Sequence, residues 1–99
     1  MDIKNLFLES ENEVTEQFKK IDEIKRFNSE KVLRAFIDNQ VTEACFNSTT
    51  GYGYNDYGRE VIEKVYADIF KTEDALVRVQ FVSGTHALST TLFALLRPN

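Results

Sequence analysis

A chain of 99 residues, 42% of them hydrophobic, is long enough for one compact domain and too short for two. Its formal charge of −4, from 12 basic and 16 acidic residues, provides no basic surface for nucleic acid or an anionic membrane. Cys45 is the only cysteine, which excludes a disulfide within the chain. The first residues turn acidic before any apolar run long enough for a signal peptide, so we expect a soluble, cytoplasmic protein.

The first half of the chain has the pattern of two amphipathic helices. Apolar residues recur every three or four positions from about Glu11 to Arg26, which predicts one helix with a single apolar stripe. Asn28 and Ser29 then supply side-chain oxygens that can cap a second helix. The predicted buried side chains of the second helix are Val32, Leu33, Phe36, Ile37 and Val41. Both helices are therefore expected to pack on another part of the protein.

A glycine-rich loop and a third helix follow. Residues 47–58 have no periodicity and contain three of the four glycines, which predicts a loop. Asp56 is placed to cap a helix from about Tyr57 to Lys71. The apolar residues of this segment recur at helical spacing: Val61, Ile62, Val65, Tyr66, Ile69 and Phe70. This broad stripe makes the third helix the clearest of the predicted elements.

The last quarter of the chain has the pattern of a strand, a turn and a helix. Residues 75–82 are rich in β-branched side chains and alternate in polarity, which predicts a strand. A turn at 83–87 leads into a helix from Leu88 to Leu96, closed by Arg97 and Pro98. A lone strand has no sheet to join. The pattern therefore predicts an α/β fragment, in which a helical arm, a loop and a helix precede the first strand, turn and helix of a larger three-layer domain.

The turn before the last helix is a candidate anion site. The first amides of a helix lack internal partners, and the helix dipole adds to their attraction for negative charge. Gly84 allows close approach of a phosphate, and the hydroxyls of Ser83 and Thr85 can donate further hydrogen bonds. The same three residues also suit a turn that only caps a helix, and the motif alone favours that interpretation.

The glycine-rich loop is a second candidate site. Tyr52, Tyr54, Tyr57 and Arg59 cluster there, and tyrosine hydroxyls with an arginine fork are suited to holding a phosphate. The alternative is an aromatic surface loop that stabilises the start of a helix. The two candidate sites could bind one ligand. His86 is the only histidine, so a histidine-based metal cluster is excluded, and no metal site is expected.

Several segments together resemble a known family. KVLRAF, STTGYGYNDYGRE, VRVQFVSGTHA and LLRPN, within residues 31–99, are similar to the methionine gamma-lyase-like group. This group is often labelled as aluminium resistance proteins and is related to the cystathionine beta- and gamma-lyases. The resemblance implies the N-terminal portion of a fold-type-I enzyme that depends on pyridoxal 5'-phosphate. Residues 1–58 would form a helical arm and loop, and residues 59–99 the start of the large cofactor-binding domain.

The resemblance also implies roles for individual residues. Gly84, Thr85 and His86 match the turn that holds the cofactor phosphate, and Ser83 shapes that turn. Tyr54 and Arg59 fall where related lyases send an aromatic and a basic residue toward the cofactor of the neighbouring subunit. Two other residues, Tyr52 and Tyr57, remain alternatives to Tyr54. A homodimer or homotetramer with shared active sites is implied as well.

The lysine that carries the chemistry in this family has no match in the chain. That lysine lies much later in the family, as does the acidic partner of the cofactor's ring nitrogen, whereas Lys64 and Lys71 belong to the third helix. We therefore expect residues 1–99 to be inactive alone. The full-length protein would be a carbon–sulfur lyase acting on an amino acid such as cystathionine or methionine. The alternatives are a truncated non-catalytic paralogue, a subunit-interaction fragment, or a small phosphate-binding module.

Overall fold

The computed structural model describes residues 2–98, and every regular element within them is a helix. The elements are α1 (Ile3–Glu13), α2 (Thr15–Asp38), a short 3-10 helix (Glu43–Phe46), α3 (Tyr57–Phe70) and α4 (Gly84–Leu95). The predicted α/β class is wrong for this chain, since residues 2–98 contain no strand. The chain divides into two units between Arg34 and Ala35. The two predicted domains begin at Met1 and end at Asn99, and these two residues lie outside the described residues.

The first break between helices lies at Val14, whereas the sequence predicted it near Asn28. Asp2 caps α1, since its carboxylate accepts a hydrogen bond from the Lys4 amide at 3.2 Å, and the helix ends at Glu13 with Val14 as its C-cap. Asn28 and Ser29, the predicted caps, lie inside α2. Each costs only about 0.5 kcal/mol in a helix interior, and the flanking lysines, arginines and glutamates favour helix. The helix therefore runs through both residues.

The apolar stripe of the first unit is exposed. α1 and the first half of α2 carry large side chains that are 38% or more exposed: Ile3, Leu6, Phe7, Leu8, Phe18, Ile21, Ile24 and Phe27. Large exposed apolar patches are uncommon on the surface of folded monomers. The predicted stripe is therefore present, and within the described chain it remains open to solvent.

The core of the second unit is small. Ala35, Val61 and Val65 are buried, and Val41, Cys45 and Ile69 pack against them. α3 has the predicted bounds to within one residue: it ends at Phe70, and Lys71 adopts the left-handed conformation of a helix C-cap. The predicted burial of four α2 side chains is wrong, because the helix contributes Ala35 to this core instead. The four exposed residues are Val32, Leu33, Phe36 and Ile37.

Residues 75–82 are not a strand. A strand needs a neighbouring chain to pair with its backbone groups, and residues 2–98 contain no such ladder. Here the Val77 amide donates instead to Glu63 Oε1 of α3 at 3.1 Å, and the Arg78 guanidinium forms a two-pronged ion pair with the same carboxylate. The segment is therefore held against α3 by side chains.

α4 begins four residues earlier than predicted. Gly84, expected in a turn, is its first residue, and Ser83 is its N-cap. The predicted closure by Arg97 and Pro98 is confirmed, since α4 ends at Leu95. None of the helices in residues 2–98 combines the length and the apolar character that a membrane span requires.

Candidate functional site

The carboxylate of Asp56 organises the glycine-rich loop. Asp56 is 3% exposed, and four donors from three residues converge on it. The Thr50 amide donates to Oδ1 at 2.7 Å, the amides of Gly51 and Gly53 donate to Oδ2 at 3.0 Å each, and the Thr50 hydroxyl contacts both oxygens at 3.2 and 3.1 Å. The loop is thus wrapped around one acidic side chain.

These donors lower the pKa of Asp56. The largest contribution comes from the backbone hydrogen bond of Thr50; burial opposes it, and the remaining bonds from Gly53, Thr50 and Gly51 lower the pKa further. Donors favour the ionised form because a charged carboxylate accepts at every lone pair. Asp56 is therefore an anion at neutral pH, although it is almost inaccessible to solvent.

The structure changes the role predicted for Asp56. The residue occupies the N-cap position of α3, as expected, but its side chain makes no capping hydrogen bond. Its carboxylate turns back toward the preceding loop, where Thr50, Gly51 and Gly53 already use its oxygens. The negative charge of Asp56 therefore stabilises the amides of the loop rather than the first amides of α3.

Arg59 lies behind the same loop. Its side chain is 15% exposed, and Nη1 donates to the Gly51 carbonyl at 3.3 Å and lies 3.7 Å from Asp56 Oδ2. Nη2 lies 3.0 Å from the position that a Cβ on Gly53 would occupy, and Gly53 has φ +88°. Arg59 Nε is buried and has no hydrogen-bond partner within residues 2–98. The guanidinium therefore packs closely under the loop and retains unused donors.

Gln80 joins the loop to the segment that leads into α4. Its side-chain amide donates to the Gly51 carbonyl, the same oxygen that Arg59 uses. Val79 also contacts the loop, with Cγ2 3.1 Å from the position of a Cβ on Gly51. The chain just before Ser83 is thereby attached to the tyrosine-bearing loop.

The tyrosines of the loop point outward. Tyr52 and Tyr54 are 83% and 77% exposed, and Tyr57, at the start of α3, is 49% exposed. Their backbone is nevertheless fixed: Gly51, Gly53 and Asn55 all have positive φ, and the surrounding bonds end on Asp56. Exposure does not select one of the three tyrosines as the cofactor contact, so all three alternatives stay predictions.

The predicted phosphate turn forms the first turn of α4. Ser83 Oγ accepts a hydrogen bond from the His86 amide at 3.1 Å, and the Val82 amide donates to His86 Nδ1 at 3.3 Å. The His86 ring also packs edge-on against Phe81, with centroids 5.6 Å apart. Ser83 and His86 are therefore engaged with their own chain, and Nε2 is the ring nitrogen left to face a ligand.

The space above Gly84 suits a phosphate. A Cβ built on Gly84 would meet no described atom within 4 Å, so the helix start is open to close approach. The amides of Gly84 and Thr85 have no partner within the helix because they belong to its first turn. An open approach, free amides and the positive end of a helix dipole are the features of an anion site.

The predicted site residues therefore fall into two groups. Tyr54 and Arg59 belong to the Asp56-centred loop, and Ser83, Gly84, Thr85 and His86 form the start of α4; the Gln80–Gly51 bond connects the two. Sequence reasoning missed Asp56, Thr50 and Gln80 as loop anchors. A threonine six residues before an aspartate, with glycines between them, is a signal that could have indicated a loop closed on a carboxylate. Groups of three or more metal-ligating side chains do not occur within residues 2–98.

Comparison with known proteins reveals close relatives. A family model described as methionine gamma-lyase matches residues 3–99. A solved structure from Listeria innocua, whose name marks it as a candidate cystathionine beta-lyase involved in aluminium resistance, is 51% identical with a TM-score of 0.89. It matches over 99% of this chain and 24% of its own.

Two further relatives match nearly the whole of this chain. A structure named as a carbon–sulfur lyase involved in aluminium resistance, from Clostridium novyi NT, is 49% identical with a TM-score of 0.83, over 95% of this chain and 22% of its own. The Bacillus subtilis (strain 168) protein described as uncharacterized protein YnbB is 43% identical over 96 residues, which are 97% of this chain and 23% of that protein. The chain thus spans about a quarter of the length of these relatives.

Proposed function

Because this chain belongs to the methionine gamma-lyase family, we propose that it is the phosphate-binding portion of a pyridoxal-phosphate-dependent carbon–sulfur lyase. Two of the relatives described above are named as lyases, which in general suggests enzymes of the pyridoxal phosphate class. The structural observation that carries the proposal is the open first turn of α4 above Gly84. A phosphate monoester is an anion of the size and charge that such a turn binds.

The chain's own residues bind and orient the cofactor's phosphate. The amides of Gly84 and Thr85 would donate to it, the Thr85 hydroxyl would add a further donor, and His86 Nε2 is the ring nitrogen not already used within the chain. When bound, the cofactor supplies an electron-withdrawing ring that stabilises negative charge on an amino-acid substrate. Fixing the phosphate fixes the position of that ring, which is the contribution of this part of the protein.

The substrate class follows from the family. We assign a sulfur-containing amino acid of the cystathionine or methionine type, and breakage of a carbon–sulfur bond in the full-length enzyme. Most of the substrate contacts and the reactive lysine would belong to the three quarters of the relatives' length that this chain does not match. Residues 1–99 would therefore hold a cofactor phosphate without catalysing the reaction.

A second copy of the protein completes the proposed site. Tyr54 stands outward on a loop whose backbone is fixed, which suits a side chain that reaches a cofactor in a neighbouring subunit. Arg59 uses one donor for Gly51 in this structure and has others to offer a phosphate. The proposal is a homodimer or homotetramer with active sites shared between subunits.

Gly84→Ala tests the phosphate site. A methyl group on Gly84 meets no protein atom but fills the space that a phosphate needs, so we expect unchanged or slightly raised stability and at least a tenfold loss of cofactor affinity. The measurement is an absorbance titration of the full-length protein with pyridoxal 5'-phosphate, beside thermal unfolding without it. Thr91→Ala, on the same helix with its hydroxyl bonded to the Ala87 carbonyl, is the control. Equal affinity of the Gly84→Ala and wild-type proteins would refute the phosphate site.

The exposed stripe on α1 and α2 favours a second candidate, a non-catalytic subunit-interaction fragment. Size-exclusion chromatography of residues 1–99 expressed alone separates the two. A soluble, monodisperse product supports the stand-alone fragment, whereas aggregation supports a chain that needs the remainder of a lyase to cover its apolar side chains.

A further inference from the structure

Asp56 has no role in the proposed phosphate site, yet it receives more hydrogen bonds than any other side chain described above. Its partners Thr50, Gly51 and Gly53 bond to it across the loop, so that residues 50–56, which include Tyr52 and Tyr54, are closed on the Asp56 carboxylate. We infer that Asp56 is a positioning residue, which holds this loop and Arg59 in the geometry that the cofactor of a neighbouring subunit requires. The inference rests on the proposed function for the identity of the ligand, but the claim that Asp56 holds the loop can be tested without any ligand.

The chemistry of the loop requires a carboxylate at position 56. Both oxygens accept: Oδ1 takes the Thr50 amide, and Oδ2 takes the amides of Gly51 and Gly53. Asparagine has one oxygen, so its amide group would have to face at least one of these N–H donors. Two donors facing each other cannot bond, and part of the loop would be released.

The loop has few other sources of rigidity. Tyr52 and Tyr54 are mostly exposed, so their packing cannot define the backbone. Positive φ at Gly51, Gly53 and Asn55 is instead compatible with a backbone whose amides turn inward to one acceptor. The hydrogen bonds to the buried Asp56 carboxylate therefore fix the backbone positions from which Tyr52 and Tyr54 extend.

Asp56 also acts on Arg59. The Arg59 guanidinium lies between the Asp56 carboxylate, 3.7 Å away, and the Gly51 carbonyl, 3.3 Å away. Gln80 donates to the same Gly51 carbonyl, three residues before Ser83. A displaced Gly51 would therefore disturb Arg59 and the entry to α4 together.

Asp56→Asn in the full-length protein tests the inference, with Asp22→Asn, an exposed aspartate on α2, as the matched control. Hydrogen exchange followed by mass spectrometry reports on the amides of residues 50–53. We expect at least tenfold faster exchange there in Asp56→Asn and no change in Asp22→Asn. Unchanged exchange at residues 50–53 would overturn the positioning role, whether or not the protein binds the cofactor.

A double-mutant cycle in cofactor affinity then separates positioning from general damage. Asp56→Asn should weaken pyridoxal 5'-phosphate binding about tenfold, and should weaken it little further when added to Arg59→Ala, because both changes remove the same contact. Added to Thr85→Ala, it should retain its full tenfold effect. Equal effects in both backgrounds would overturn action through Arg59. Failure of the wild-type protein to bind the cofactor would refute the proposed function, and the exchange experiment would still decide the role of Asp56.

Discussion

The backbone of Gly58 lies directly against the carbonyl oxygen of Cys45. This contact joins the first turn of α3 to the short 3-10 helix, and a Cβ on Gly58 would overlap that oxygen. Val61 and Val65, which follow on α3, form the core with Ala35. The absence of a side chain at one position thus allows α3 to approach closely enough to build the core.

Gly58→Ala is therefore expected to destabilise the protein. The added methyl group must displace backbone, since Cys45 O belongs to the main chain, and overpacking of this kind costs about 1–3 kcal/mol. Chemical denaturation of the full-length protein measures the free energy of unfolding. Gly84→Ala, where the same methyl group meets open space, is the matched control. Equal stability of the two variants would show that the Gly58–Cys45 contact is not maintained in solution.

Glu63→Gln is expected to loosen the segment that precedes α4. The Glu63 side chain is 12% exposed and accepts from both the Arg78 guanidinium and the Val77 amide. A neutral amide cannot accept at both ends, so we expect a loss of about 1–2 kcal/mol in unfolding free energy. Glu16→Gln removes an exposed ion pair with Lys19 and should cost less than about 0.5 kcal/mol. Similar losses in the two variants would contradict a structural role for the Glu63–Arg78 pair.

Acid should open the Asp56-centred loop. The pKa of Asp56 is lower in the folded chain than its ordinary value of 3.8, mainly because of the Thr50 backbone bond. The stabilisation is therefore complete above about pH 3.8 and is lost as the pH falls through the lower folded value. Carbon-13 NMR of the Asp56 carboxyl group gives its pKa directly. A pKa at or above 3.8 would show that the four donors do not converge on the ionised carboxylate in solution.

Ser83→Ala should weaken the start of α4. The variant removes the acceptor of the His86 amide, and loss of a serine N-cap costs about 1 kcal/mol. Ser83→Asn, which retains a capping oxygen, should restore most of the stability. Thermal unfolding without cofactor measures both effects. A Ser83→Ala protein as stable as the wild type would indicate that Ser83 does not cap the helix, leaving its hydroxyl available to a ligand.

Sequence patterns predicted local features of this chain better than its fold. The turn predicted at residues 83–87 is instead the first turn of α4, whereas the loop that carries the tyrosines was predicted correctly, because glycines and a lack of periodicity have local consequences for the backbone. The bounds of α3 followed from its apolar period for the same reason. The strand predicted at residues 75–82 failed because a strand depends on a second chain segment, which local alternation cannot supply.

The sequence by itself determined the family and the helical period of α3, since each of these depends on the identity and spacing of neighbouring residues. Only the tertiary structure decided that Asp56 turns away from α3 to hold the loop, and that Gln80 and Arg59 share the Gly51 carbonyl. The physical reason is the same in each case. A polar side chain with several possible partners bonds to those that folding brings within about 3 Å, and for Gln80 that partner is 29 positions away along the chain.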